Sequence, residues 1–225
     1  MRAVSTYARF VAENYTYIIL ATLLVGVMVG VFTSSPGLFI RQFNTPLIII
    51  LIAAMSFTIT FSNLAVAAKN WKGTLFGLVL NFLFAPFLCW LLASLLLSGH
   101  ADLATGLILI GVVPCAGMAM MWTGLLRGDV PLAIVIEAVT MLLAAFLIPP
   151  LMSLFAGQFV TINVWEMLWY LIYTVLFPVL AAISLRELLG RRANVQMYLP
   201  IMPTISATMA VLLMFMAINT SVLSI

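Results

Sequence analysis

The sequence predicts an all-helical integral membrane protein, and three observations predict it. Hydrophobic residues make up 65% of the 225 residues and charged residues 7%, with a mean hydropathy of +1.27. Soluble chains run about 45–50% apolar and about 25% charged, so too little polar surface exists here to face water. The apolar runs last about twenty residues without alternating. That length suits a helix crossing a ~30 Å hydrocarbon core, not a barrel strand of about ten residues. Basic residues fall between the runs and almost all on one side, as a folded membrane topology requires.

Seven spans are predicted within a single membrane domain, 1–225: residues 15–33, 46–68, 73–97, 103–126, 131–155, 165–185 and 199–223. The first ends before Ser34-Ser35-Pro36-Gly37, which reads as a loop. It is too long for a signal-peptide core, and no small-x-small cleavage site stands before Pro36, so it is expected to be retained. Short connections make neighbouring spans antiparallel. Arg2, Arg9, Lys69, Lys72, Arg127, Arg186, Arg191 and Arg192 then share one side, and only Arg41 lies on the other. The positive-inside rule puts the N-terminus in the cytoplasm, and an odd span count puts the C-terminus of this chain outside a multi-pass plasma-membrane protein.

The same composition excludes several chemistries. The net charge of +3 is too small and dispersed for nucleic acid. Cys89 and Cys115 both lie in apolar runs, which argues against a disulfide framework or a zinc site. His100 stands beside Asp102 in a short loop. No nucleophile–base–orienter set is visible, so no enzyme and no cofactor is expected.

Three spans carry features that plain anchors lack. The third has Asn81 followed by Pro86, the fourth has Pro114, Cys115 and Gly117 near its middle, and the fifth has Glu137. Pro114 removes a backbone donor, and Gly117 permits unwinding. Either a packing kink or a midplane binding site accounts for a proline alone. Together with an intramembrane carboxyl, which costs several kcal/mol and so faces a cavity or a partner, the set favours a site. Glu137 shares a helix face with Ala133 and Thr140. Cys115 reads either as an inert small hydrophobe or as a ligand for a soft solute. Met118, Met120 and Met121 read as deformable packing, and Trp122 and Trp165 as interface anchors.

At these residues the chain resembles a family. Pro114-Cys115-x-x-Met118-x-x-x-Trp122 is similar to the P-C-T-A-M-x-x-x-W signature of arsenite efflux permeases, which share a superfamily with sodium–bile acid symporters. Asn81-x-x-x-x-Pro86-Phe87 resembles that family's third helix, and Gly128-Asp129 the opening of its fifth. The resemblance implies an inverted-repeat transporter with an interrupted fourth helix, of which this chain holds the first five-helix repeat plus two helices. A gene fragment, a truncated chain or a natural short form would each account for that, as would a homo-oligomer or separately supplied C-terminal helices. Departures are also informative. The family's Thr after the Cys is Ala116. The Ser-Asn pair of the bile-acid branch falls on Ala119 and Met120, which offer no side-chain oxygen, and that branch's polar fifth-helix residues fall on Ala133 and Glu137. The arsenite branch's Asn-Asp pair falls on Thr140-Met141.

The expected function is therefore secondary active transport, namely proton-coupled efflux of arsenite or a related small oxyanion or metalloid. Cys115, Asn81, Pro114 and Gly117 would bind the solute, and Glu137 and Thr140 would couple the proton. A sodium-coupled organic anion symporter is the alternative, with a non-transporting membrane scaffold as a third reading. A seven-helix photoreceptor is disfavoured, since the seventh span has no lysine.

Overall fold

The computed structural model describes residues 2–60, 70–115, 118–190, 199 and 201–222, and it is all helical there. In order the helices are α1 (Arg2–Phe32), α2 (Ser35–Arg41), α3 (Asn44–Ser56), α4 (Trp71–Leu96), α5 (Ala101–Val112), α6 (Met118–Leu125), α7 (Val130–Ala156), α8 (Val164–Gly190) and α9 (Met202–Ser221). Within α1 the stretch Asn14–Phe32 is the apolar part. By length and composition that stretch, α4, α7, α8 and α9 can each cross a membrane, and the pair α2–α3, bent by 65°, is a sixth candidate.

One expectation, in the second span, needs correction. The fourth span is interrupted, as expected. It is α5 and α6, of 12 and 8 residues, or about 18 Å and about 12 Å at 1.5 Å per residue, so neither crosses alone. The interruption expected in it is present, with Val113 extended at φ −67°, ψ 152°, the conformation that a following proline imposes. The second span differs. Its helix ends at Ser56, and Ser34-Ser35-Pro36-Gly37 opens α2 instead of a loop. Proline suits the first turn of a helix because the N–H it lacks has no partner there. Residues 61–69, 191–198, 200 and 223–225 lie outside the described residues, and with them Lys69, Arg191, Arg192 and parts of the second and seventh spans. So do the side chains of Arg2, Arg9, Met118, Met120 and Met121.

The chain falls into two compact units, Met1–Thr58 with Leu180–Ile225, and Ile59–Val179, the division falling within α8. In the first unit α9 packs against α1, α2 and α3. Asn219 of α9 is fully buried. Its Oδ1 accepts from the Gly37 N–H at 2.9 Å, and its Nδ2 donates to the Thr33 carbonyl at 3.1 Å. Both groups belong to the break between α1 and α2, where helical partners are missing. Gly37 must be glycine at this approach, since a Cβ would stand 2.5 Å from Asn219 Oδ1. At the far end of α3, the Arg186 guanidinium donates to the Thr58 carbonyl.

In the second unit α7 is the central element. Its buried stripe, including Ala144, Ile148 and Met152, packs with Ala93 of α4 and with Ala104 and Ile108 of α5. Small residues let helix backbones approach in the absence of a hydrophobic driving force between apolar solvents. Asp129 caps α7 by accepting the Leu132 N–H at 3.0 Å, which satisfies one of the free first-turn donors. The outer faces stay apolar and uncovered, as at Phe76, Leu96 and Leu126, the pattern of a protein that faces lipid.

Both α4 and α8 contain a wide turn. In α4 it covers Leu80–Phe84, and the Ala85 N–H bonds to the Leu80 carbonyl. In α8 it covers Ile172–Leu176, and the Phe177 N–H bonds to the Ile172 carbonyl. Each turn ends one residue before the residue that precedes a proline, Pro86 or Pro178. Proline has no N–H for the carbonyl four residues back. The helix absorbs the loss as a single π turn and continues.

Candidate functional site

The site lies in the second unit, where α4, α5 and α7 meet the interruption. Asn81 sits inside the π turn of α4, the kind of local widening that re-aims a side chain. Its Nδ2 donates to the Val113 carbonyl at 3.4 Å. In a continuous helix that carbonyl would accept from the backbone four residues on. The chain leaves the helix at Val113, and the oxygen there accepts from a side chain.

Gly111 brings α5 close enough for this contact. A Cβ there would stand 2.7 Å from Cys89 Sγ and 3.0 Å from the Ala85 carbonyl. Pro114 and Cys115 follow in irregular backbone, both half-buried. Cys115 Sγ lies 3.5 Å from Thr140 Oγ1. Thr140 is fully buried, and its hydroxyl donates to the Glu137 carbonyl one turn back, at 2.9 Å. Glu137 is 3% exposed in the middle of an apolar helix. Thr140 and Glu137 thus share a buried face of α7, as their spacing implies.

The structure makes two contacts at the expected residues, Asn81 with the Val113 carbonyl and Cys115 with Thr140 on the Glu137 turn. Pro114 sits between them. Gly117 lies outside the described residues, as does Ala116. Ala119 is half-buried in α6. Trp122 and Trp165 are both exposed. The Val113 carbonyl was not a candidate from sequence. A backbone oxygen leaves no residue-type signal, and only the proline after it hints at a disturbance. Among the described residues no His, Cys, Asp or Glu group could hold a metal ion. The chemistry on offer is a soft sulfur, a carboxyl, a hydroxyl, an amide and a carbonyl bonded by a side chain, suited to binding a small solute.

Comparison with known proteins points to a transporter family. The pattern of the Sodium Bile acid symporter family matches residues 45–225. A probable sodium/metabolite cotransporter of Oryza sativa subsp. japonica, the chloroplastic protein BASS1, is 36% identical over 161 residues, 70% of this chain and 38% of that protein. The arsenical-resistance protein Acr3 of Alkaliphilus metalliredigens is 29% identical over 164 residues, 64% of this chain and 46% of that protein. The uncharacterized sodium-dependent transporter YocS of Bacillus subtilis is 26% identical over 156 residues, 68% and 48% respectively. The chain spans less than half the length of these relatives. With the match covering most of its residues, this multi-pass helical membrane protein belongs to the sodium bile acid symporter family.

Proposed function

We propose that this chain carries the solute site of a secondary active transporter that expels arsenite or a related small metalloid or oxyanion in exchange for protons. A symporter family fits transport and not catalysis. The carrying observation is the opened backbone at Val113, Pro114 and Cys115, which holds a thiol 3.5 Å from the Thr140 hydroxyl on the Glu137 turn. Cys115 would contact the solute, with Asn81 and the Val113 carbonyl beside it. Glu137, buried in the apolar interior, would take up and release the coupling proton. A charge that cannot stay in the low-dielectric interior at little cost is suited to alternate with its neutral form. The printed name of Acr3 supports the solute class. The basic residues put the N-terminus in the cytoplasm of a plasma-membrane protein.

Arsenite uptake into everted vesicles, driven by an imposed proton gradient, tests this directly. Uptake should collapse in Cys115→Ala and lose its dependence on the gradient in Glu137→Gln. Equal uptake without any gradient would end the coupling reading. A second reading, sodium-coupled movement of an organic anion, is favoured by the word sodium in the names of BASS1 and YocS. Replacing the proton gradient with a sodium gradient separates the two. No uptake under either gradient would leave the scaffold reading.

A further inference from the structure

We infer that Thr140 is a positioning residue that keeps Cys115 a neutral thiol, with the sulfur donating its proton to the Thr140 hydroxyl. The inference rests on the solute site proposed above and adds to it the state of the sulfur that a solute meets.

A hydroxyl has one proton and two lone pairs. A backbone carbonyl only accepts. At 2.9 Å from the Glu137 carbonyl, the Thr140 proton is committed to that oxygen. Thr140 is fully buried in mid-helix, where threonine back-bonds to a carbonyl one turn earlier. The hydroxyl therefore turns only lone pairs toward Cys115. Cys115 Sγ stands 3.5 Å from the same oxygen, within reach for sulfur. The only proton that can occupy the line between them belongs to the thiol. A thiolate there would face a lone pair, unless Thr140 released the Glu137 carbonyl and swung its proton round.

The consequence is an uncharged sulfur whose proton is committed to Thr140. A soft divalent cation takes a cysteine as thiolate, so it would first have to expel the proton. A neutral metalloid hydroxide instead brings its own acceptor, since one of its hydroxides leaves with the thiol proton as water when the sulfur–metalloid bond forms. The polarity of this one bond thus selects a neutral metalloid species over a metal cation as the cargo of Cys115.

Infrared absorption tests it in the purified full chain, because the S–H stretch falls in a window free of other protein bands. The spectrum minus that of Cys115→Ala isolates the Cys115 band. That band is expected below the frequency of a simple alkanethiol in hydrocarbon solvent. It should rise toward that frequency in Thr140→Val and return downward in Thr140→Ser, which restores the hydroxyl. A merely structural role for Thr140 would not make the serine variant return. No S–H band lost in Cys115→Ala would mean an ionised sulfur and overturn the inference. So would an unshifted alkanethiol band in the unaltered protein, a reading that stands even where Thr140→Val fails to fold. The measurement needs no solute. A lowered band without arsenite uptake overturns the proposed function alone, and uptake with a free-thiol band overturns this inference alone.

Discussion

Each unit contains a place where a helix stops and its backbone groups lose their partners, and the two breaks are closed very differently. In the first unit, Asn219 meets the break between α1 and α2 with bonds of 2.9 and 3.1 Å from a fully buried side chain. Those distances are ordinary for N–H···O bonds. In the second, the break after Val113 is met by Asn81 at 3.4 Å and by Thr140 at 3.5 Å to sulfur, with Asn81 and Cys115 only half-buried. The first break is sealed, as scaffold. The second keeps its carbonyl and its sulfur loosely held and open to exchange. Two breaks of similar origin thus divide into one that costs stability when disturbed and one that should cost function.

The largest effect should follow Asn219→Leu. Leucine fills a similar volume but leaves the Gly37 N–H and the Thr33 carbonyl buried without partners. At about 1–3 kcal/mol for each of the two unsatisfied groups, the loss should be about 2–6 kcal/mol in thermal or denaturant unfolding in detergent. A leucine variant as stable as the parent would mean that the first break is not sealed by Asn219 at all.

Next comes Gly111→Val, in the second unit. Its new side chain starts 2.7 Å from Cys89 Sγ and 3.0 Å from the Ala85 carbonyl. Overpacking of this kind costs about 1–3 kcal/mol, and here it also pushes the Val113 carbonyl away from Asn81. Stability and arsenite uptake should therefore fall together, and Cys89→Ala should restore part of both by removing the sulfur. No recovery in the double variant would show that the backbone contact with Ala85 dominates.

Asn81→Leu should separate the two properties. A single long bond at a half-exposed group is worth less than about 1 kcal/mol to folding. Uptake, however, should fall on the order of ten-fold, the equivalent of about 1.4 kcal/mol at the site. The opposite pattern, a large stability loss with uptake intact, would make the second break a scaffold like the first.

Much of this was legible in the sequence, and the reasons are local. The long apolar runs of α4, α7 and α9 mark those helices to within a few residues, and Pro114 marks the break. Glu137 and Thr140 share a face by spacing alone. What was not legible is non-local or lacks a side-chain signal. Ser34-Ser35-Pro36-Gly37 reads as a loop, because the group that lets it begin a helix is Asn219, 182 positions further on. Pro86 and Pro178 announce a disturbance, but not that the helix would absorb it as a π turn. The contact between Cys115 and Thr140 depends on how α7 packs, which no spacing reports.

The smallest effect is expected at Arg127, and it tests whether looseness at the second break is local. Among the described residues, Arg127 is the non-glycine residue with positive φ, 56°. The Gly128 N–H bonds to the Thr123 carbonyl at 2.8 Å and the Arg127 N–H to the Gly124 carbonyl at 3.1 Å, closing α6. That pairing ends a helix through a left-handed residue, a position that glycine fills without a Cβ penalty. The L-residue strain of about 1–2 kcal/mol would be relieved in Arg127→Gly, partly offset by a more flexible unfolded chain, so a net gain of about 0.5 kcal/mol is expected. The substitution also removes one of eight basic residues on the proposed cytoplasmic side, which leaves the asymmetry in place. If the open break at Val113 is a local property of Pro114 and Asn81, relieving strain at the other end of α6 should raise the unfolding temperature slightly and leave uptake unchanged. A change in uptake beyond about two-fold, against the small free energy involved, would show instead that the closure of α6 sets how far the break opens.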